Sequence, residues 1–125
     1  MNLGVGTRLR FGNHVLDVMV SSSPEELRRG LSGIRSLLRN KGMLFILPEV
    51  GPAHFWMRDT RIPLDIALLD ANMKVRAIHT MEPGTGEVRD YGPIKYAVET
   101  NAGWFRRNGV RVGDQARLPV GKAVE

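Results

Sequence analysis

The chain has 125 residues, 42% of them hydrophobic, and a net charge of +5 from 18 Lys and Arg against 13 Asp and Glu. That length suits one domain with a single core; no apolar run nears the roughly 20 residues that cross a bilayer; and the absence of cysteine excludes a disulfide framework and thiolate chemistry. The basic excess is scattered rather than gathered into a stripe interleaved with aromatics, so a nucleic-acid partner is not expected; the nearest approach is Arg106-Arg107 with Arg111.

In chain order, residues 7–11 alternate polar and apolar, Gly12-Asn13 follows, and Leu16, Val18 and Val20 resume the alternation. Gly-Asn between such runs predicts a two-residue hairpin with Leu9, Phe11, Leu16 and Val18 on its buried face. Ser23-Pro24-Glu25-Glu26 then carries a capping serine, a first-turn proline and a glutamate three residues after the cap. That pattern predicts a capped helix over about residues 24–32. Leu27, Leu31 and Ile34 share one of its faces, and Gly30 marks its contact with a sheet. Residues 32–41 form a basic connection.

The stretch over residues 42–65, GMLFILPEVGPAHFWMRDTRIPLD, dominates the chain. Its unbroken apolar run, Met43 to Leu47, reads as a strand buried on both faces. Pro48, Gly51 and Pro52 predict a turn. Order resumes at His54-Phe55-Trp56-Met57, the charged tetrapeptide Arg58-Asp59-Thr60-Arg61 follows, and Pro63 pushes Ile62 extended ahead of a strand from Leu64 to Leu69. Polar groups so framed must be hydrogen-bonded or solvated, because burying one unpaired costs roughly 1–3 kcal/mol. The expectation is a polar cleft at residues 54–65, floored by Phe55, Trp56 and Met57 and edged by Arg58, Asp59, Thr60 and Asp65.

Beyond a turn at Asp70-Ala71-Asn72, residues 74–81 form the antiparallel partner strand, with Val75, Ala77, His79 and Met81 on one face and Arg76, Ile78 and Thr80 on the other. A polar loop runs from residue 82 to about Pro93, followed by a strand over residues 95–99. Asn101 can cap a short second helix over about residues 102–107, ended by Asn108-Gly109 and docked through Trp104, Phe105 or both. Residues 110–118 close the domain, and residues 119–125 read as a loose tail. The fold class that follows is α+β, mainly antiparallel β: a small barrel-like or sandwiched sheet carrying the two helices, as a single domain over residues 1–118.

The titratable groups available for acid–base chemistry are His54, Asp59, Asp65, His79, Glu82 and Glu99. Asp59 fits a turn-fixing acceptor, Asp65 a structural partner of Arg58 or Arg61, and His79 a histidine hydrogen-bonded within the sheet. The favoured expectation is therefore a non-catalytic binding or interaction module. Arg58 and Arg61 suit a small anionic ligand, a peptide or a protein partner. Two alternatives are a small hydrolase using Asp59 or Asp65 with His79, and a structural accessory subunit of a larger assembly. His54, Met57, His79 and Met81 combine imidazole and soft ligands, but their spacing is a weak pattern and methionine commonly fills cores. Zinc lacks both Cys and HExxH, so neither metal nor cofactor is expected.

GMLF, then FWM, then RDTRIPLD resembles the DUF192 family, small β-rich prokaryotic proteins of unassigned biochemical function. PEELRRGL upstream and AIHTMEPG and YAVETNAGWFRRNGVRVGD downstream agree, and the resemblance spans about residues 11–118. It implies a β-rich fold and no established reaction. Many proteins of this kind carry an export segment. Residues 1–6 lack the charged start and apolar centre of one, so the expectation is a cytoplasmic protein or a mature exported form.

Overall fold

Alternation of apolar and polar residues builds the first hairpin. In the computed structural model, which describes residues 6–23, 31, 33, 36–57 and 59–119, β1 (Gly6–Phe11) and β2 (His14–Ser21) pair antiparallel with Leu9 opposite Leu16. Gly12, at φ 62°, and Asn13 make the two-residue turn between them. β3 (Lys41–Trp56) lies parallel to β2, Met43 beside Met19. A parallel neighbour cannot be reached by a hairpin, so the chain crosses over between Ser21 and Lys41. The capped helix expected over about residues 24–32 lies outside the described residues, apart from Leu31, which is buried.

Gly42 to Ile46 is buried, as the apolar run requires. The turn expected at Pro48, Gly51 and Pro52 does not form. Instead β3 continues to Trp56 against β6 (Glu87–Asn101), and the ladder shifts register between Ile46 and Gly51 and again between Gly51 and Ala53. Both prolines fall inside these irregular stretches, where a missing N–H removes no ladder bond. The same pairing shortens the polar loop expected to reach Pro93. Its second half becomes the start of β6, with Glu87 opposite Trp56, because strand pairing satisfies backbone groups that a loop would leave to water.

β4 (Leu64–Leu69) lies between β6 and β5 (Val75–Met81) and is buried throughout. A register shift between Leu68 and Leu69 sets Leu68 opposite Ala77 but Leu69 opposite Val75. Val75 is therefore on the face opposite to Ala77, not with it as simple alternation predicts. The short helix is α1 (Trp104–Arg107); its N-cap is Gly103, not Asn101, and no side chain caps it. Asn101 instead donates Nδ2–H to the Leu37 carbonyl at 2.7 Å. β7 (Ala116–Arg117) pairs with β1.

The sheet order is β5-β4-β6-β3-β2-β1-β7, antiparallel except for β2 beside β3. It curls into a half-barrel. Val75 N–H to Asp114 O (2.8 Å), Gly113 N–H to Val75 O (2.8 Å) and Ala116 N–H to Met73 O (2.9 Å) tie the chain at the entry to β7 to the chain at the entry to β5. The inner face holds one core, built around Leu9, Phe11, Leu44, Val98, Trp104 and Phe105. The outer face holds a second, built around Leu31, Phe45, Met57, Ile66, Leu68 and Met81. The mainly antiparallel β architecture is thus observed; among the described residues helix is confined to the four residues of α1.

Candidate functional site

The polar corner that follows β3 is knitted by backbone bonds. Met57 N–H donates to Gly86 O (2.9 Å), and Met57 O accepts from Thr60 N (2.9 Å) and Gly84 N (3.1 Å). Thr60 is buried, while Asp59 is exposed at φ 63°, a conformation aspartate tolerates better than most residues. The Asp59 carbonyl, rather than its carboxylate, accepts the Gly33 N–H at 2.8 Å. Arg58 lies outside the described residues.

The pleat divides the three residues expected to floor a cleft here. Phe55 and Met57 pack into the outer core, Phe55 edge-on to Phe45 with centroids 5.3 Å apart. Trp56 is 54% exposed and stands with His54, whose ring meets it edge-on at 4.9 Å. His54 Nε2 is 2.7 Å from Glu87 Oε1, and Arg89 Nη2 is 3.6 Å from the same oxygen.

Asp65 goes elsewhere. It is buried on the inner face of β4, flanked by Thr80 on β5 and Thr100 on β6. Its Oδ1 accepts the Thr80 hydroxyl at 2.7 Å, and its Oδ2 accepts the Gly103 N–H at 2.9 Å. Asp65 is thus held by a hydroxyl and a backbone amide, and of the two arginines expected to pair with it Arg61 forms no ion pair with it while Arg58 lies outside the described residues. His79 is the next residue along β5 from Thr80, is exposed, and projects to the opposite face of the sheet. Asp65 and His79 therefore do not share a cleft, and Asp59 makes no hydrogen bond to His79.

The bond from Asp65 to Gly103 seats the start of α1 against β4, and the loop that follows overhangs β5. Between them opens a cleft of about 490 Å³ whose lining includes Asp65, Ile78, Thr80, Gly103, Arg106 and Arg111. Phe105 and Val110 form its apolar wall. Arg106 and Arg111 are exposed, and neither makes an ion pair with a described residue. The nearest acid along the chain, Asp114, uses Oδ2 to accept the Arg111 backbone N–H at 2.9 Å. The cleft lining thus combines two exposed arginines with a carboxylate hydrogen-bonded to Thr80 and Gly103.

A second carboxyl is buried on the other face. Glu99 sits on β6 between Met43 and Ile66, is 5% exposed, and makes no hydrogen bond or ion pair with a described residue. Burial alone pushes its pKa from the ordinary 4.5 up to about 8, since the charged form loses its hydration.

Among the described residues no group of three or more His, Asp or Glu gathers as a metal cluster would. Met57 and Met81 belong to the outer core, and His54 is held by Glu87.

Of the described residues expected from the sequence to form the site, Asp65 alone lines the cleft. Thr80, Gly103, Arg106 and Arg111 join it from outside the polar segment that the sequence marks as a site. The basic group Arg106-Arg107 with Arg111 was visible, but nothing local links it to a carboxylate about forty positions earlier.

The model of the DUF192 family, described as an uncharacterized ACR, matches residues 7–118. None of the curated proteins compared with the chain matches it. Among solved structures, a protein from Sinorhizobium meliloti 1021, provisionally named a transcription regulator, superposes with a TM-score of 0.86 at 29% identity, covering 92% of this chain and 95% of that one. A protein of unknown function from Novosphingobium aromaticivorans DSM 12444 superposes with a TM-score of 0.81 at 28% identity, covering 90% and 84% respectively.

Proposed function

We propose that this chain, which belongs to the DUF192 family, is a non-catalytic binding module that receives an anionic group in the cleft between β5 and the α1 loop. One observation carries the reading: Arg106 and Arg111 flank a cleft of about 490 Å³ without an acidic partner among the described residues. Planar guanidinium groups bind carboxylates and phosphates through paired hydrogen bonds. Asp65 forms no ion pair with either arginine; its two oxygens accept from Thr80 and Gly103. This reading puts the binding site at the inner-face end of residues 54–65, where Asp65 lies, rather than at the polar corner.

A hydrolase built on Asp65 and His79 finds no support, since a carboxylate must reach the imidazole it orients and these two project to opposite faces. The test is an NMR titration with citrate and with inorganic phosphate. Backbone amide resonances at positions 103, 106 and 111 should shift in the parent protein and not in Arg106→Ala/Arg111→Ala, whose thermal midpoint should be unchanged. Equal shifts in both proteins would refute the assignment.

A further inference from the structure

We infer that the occupant of this cleft is an extended acidic peptide that joins the half-barrel as an additional strand beside β5, an inference that rests on the anion-binding reading above. β5 ends the sheet order; among the described residues β4 is its one strand neighbour, and a single bridge joins Lys74, just ahead of β5, to Gln115. The bonds from residues 113–116 reach no further along β5 than Val75. From Ala77 to Met81 the outer side of β5 therefore has no strand beside it among the described residues. The other end of the sheet is not comparable, because β7 covers part of β1 there.

Edge strands are ordinarily blunted by lysine, proline, a bulge or a covering helix or loop; the α1 loop overhangs β5, but no backbone hydrogen bond from it reaches residues 77–81. The irregularity of β5 lies before Ala77, and the segment Ala77-Ile78-His79-Thr80-Met81 carries neither lysine nor proline. A strand laid alongside it, about 4.8 Å away, would turn alternate side chains to the inner face beside Ile78 and Thr80. Those are the two β5 residues that line the cleft. Acidic side chains at these positions would meet Arg106 and Arg111, while the backbone of the added strand would fill the open donors and acceptors of β5. Main-chain bonds then supply affinity and the arginines select charge.

The experiment uses the full chain and a peptide of about eight residues alternating Glu and Val, a usual strand length. Its controls are the same peptide N-methylated at alternate positions, a Lys-Val counterpart, and citrate. The expected result is binding of the Glu-Val peptide, slowed hydrogen exchange at alternate amides between residues 77 and 81, and no binding of the N-methylated or Lys-Val peptides. Arg106→Glu/Arg111→Glu should weaken the complex about tenfold or more. If the peptide perturbs Arg106 and Arg111 without protecting β5, or the N-methylated form binds equally well, strand addition is overturned and the anion-binding reading stands. If neither citrate nor peptide perturbs the two arginines, both fall. Sedimentation showing a dimer that protects residues 77–81 without peptide would also overturn the inference, since a second copy would then occupy the edge.

Discussion

Glu99 shows what a single buried group does to the molecule. In the unfolded chain its carboxyl ionises near 4.5; in the folded protein it keeps its proton to about 8. Between those values the unfolded state sheds a proton that the folded state retains, so rising pH favours unfolding. The stability present below pH 4.5 is lost progressively up to about pH 8, a change on the order of a few kcal/mol. Glu99→Gln keeps the shape and removes the titration. Urea melts from pH 4 to 9 should show a falling midpoint for the parent and a flatter profile for the variant, which becomes the more stable of the two at alkaline pH. Parallel profiles would mean that Glu99 is solvated or paired in the folded state. Asp65 is the contrasting carboxyl: equally buried, but satisfied by Thr80 and Gly103.

At the scale of elements, β3 and β6 are the two long strands around which the rest assembles. Their closeness is set in part by glycine. A β-carbon on Gly42 would collide with the backbone carbonyl oxygen of Glu99 on β6 and press on Leu16 Cδ2 at 3.1 Å. A backbone atom in mid-sheet cannot step aside as a side-chain tip can, so Gly42→Ala should cost about 1–3 kcal/mol. Gly51, in the irregular part of the same strand, has no atom within 4 Å of the β-carbon it would gain. Gly51→Ala should be near neutral or slightly stabilising, because it narrows the freedom of the unfolded chain. Chemical denaturation of the two variants side by side checks the contrast; equal losses would contradict it.

The hairpin of β1 and β2 and the buried run at the start of β3 were legible because each depends on neighbouring residues alone. Alternation and a Gly-Asn turn suffice for the first, and an unbroken apolar run for the second. The continuation of β3 past Pro48 and Pro52 was not legible. Proline breaks a ladder only where its N–H would have bonded, and the register with β6 determines that.

At the scale of the whole molecule, α1 closes the inner core. Trp104 and Phe105 are both buried, meet edge-on at 5.4 Å, and each packs edge-on against Phe11 on β1. Trp104 also donates its indole N–H to Asn40 Oδ1 at 2.8 Å. Such a side chain contributes packing and a satisfied polar group together. Trp104→Ala should destabilise the domain by about 3–5 kcal/mol and loosen the α1 loop, read as a lower urea midpoint and faster hydrogen exchange at Gly103. A loss below about 1 kcal/mol would mean that the half-barrel closes without it.

Composition and local pattern alone settle that this is one β-rich domain, where its hairpin turns, and that the segment from Met43 to Ile46 is buried. These are properties of short windows, in which side-chain periodicity and turn chemistry act within a few residues. Which face each side chain takes is a different matter. A single shifted residue between Leu68 and Leu69 moves Val75 across the sheet, and the pairing of β4 with β5 sends Asp65 inward and His79 outward. The cleft exists because β4, β5 and the α1 loop are brought together from positions far apart in the chain. Long-range pairing registers of that kind are fixed by tertiary packing, not by the residues beside each strand.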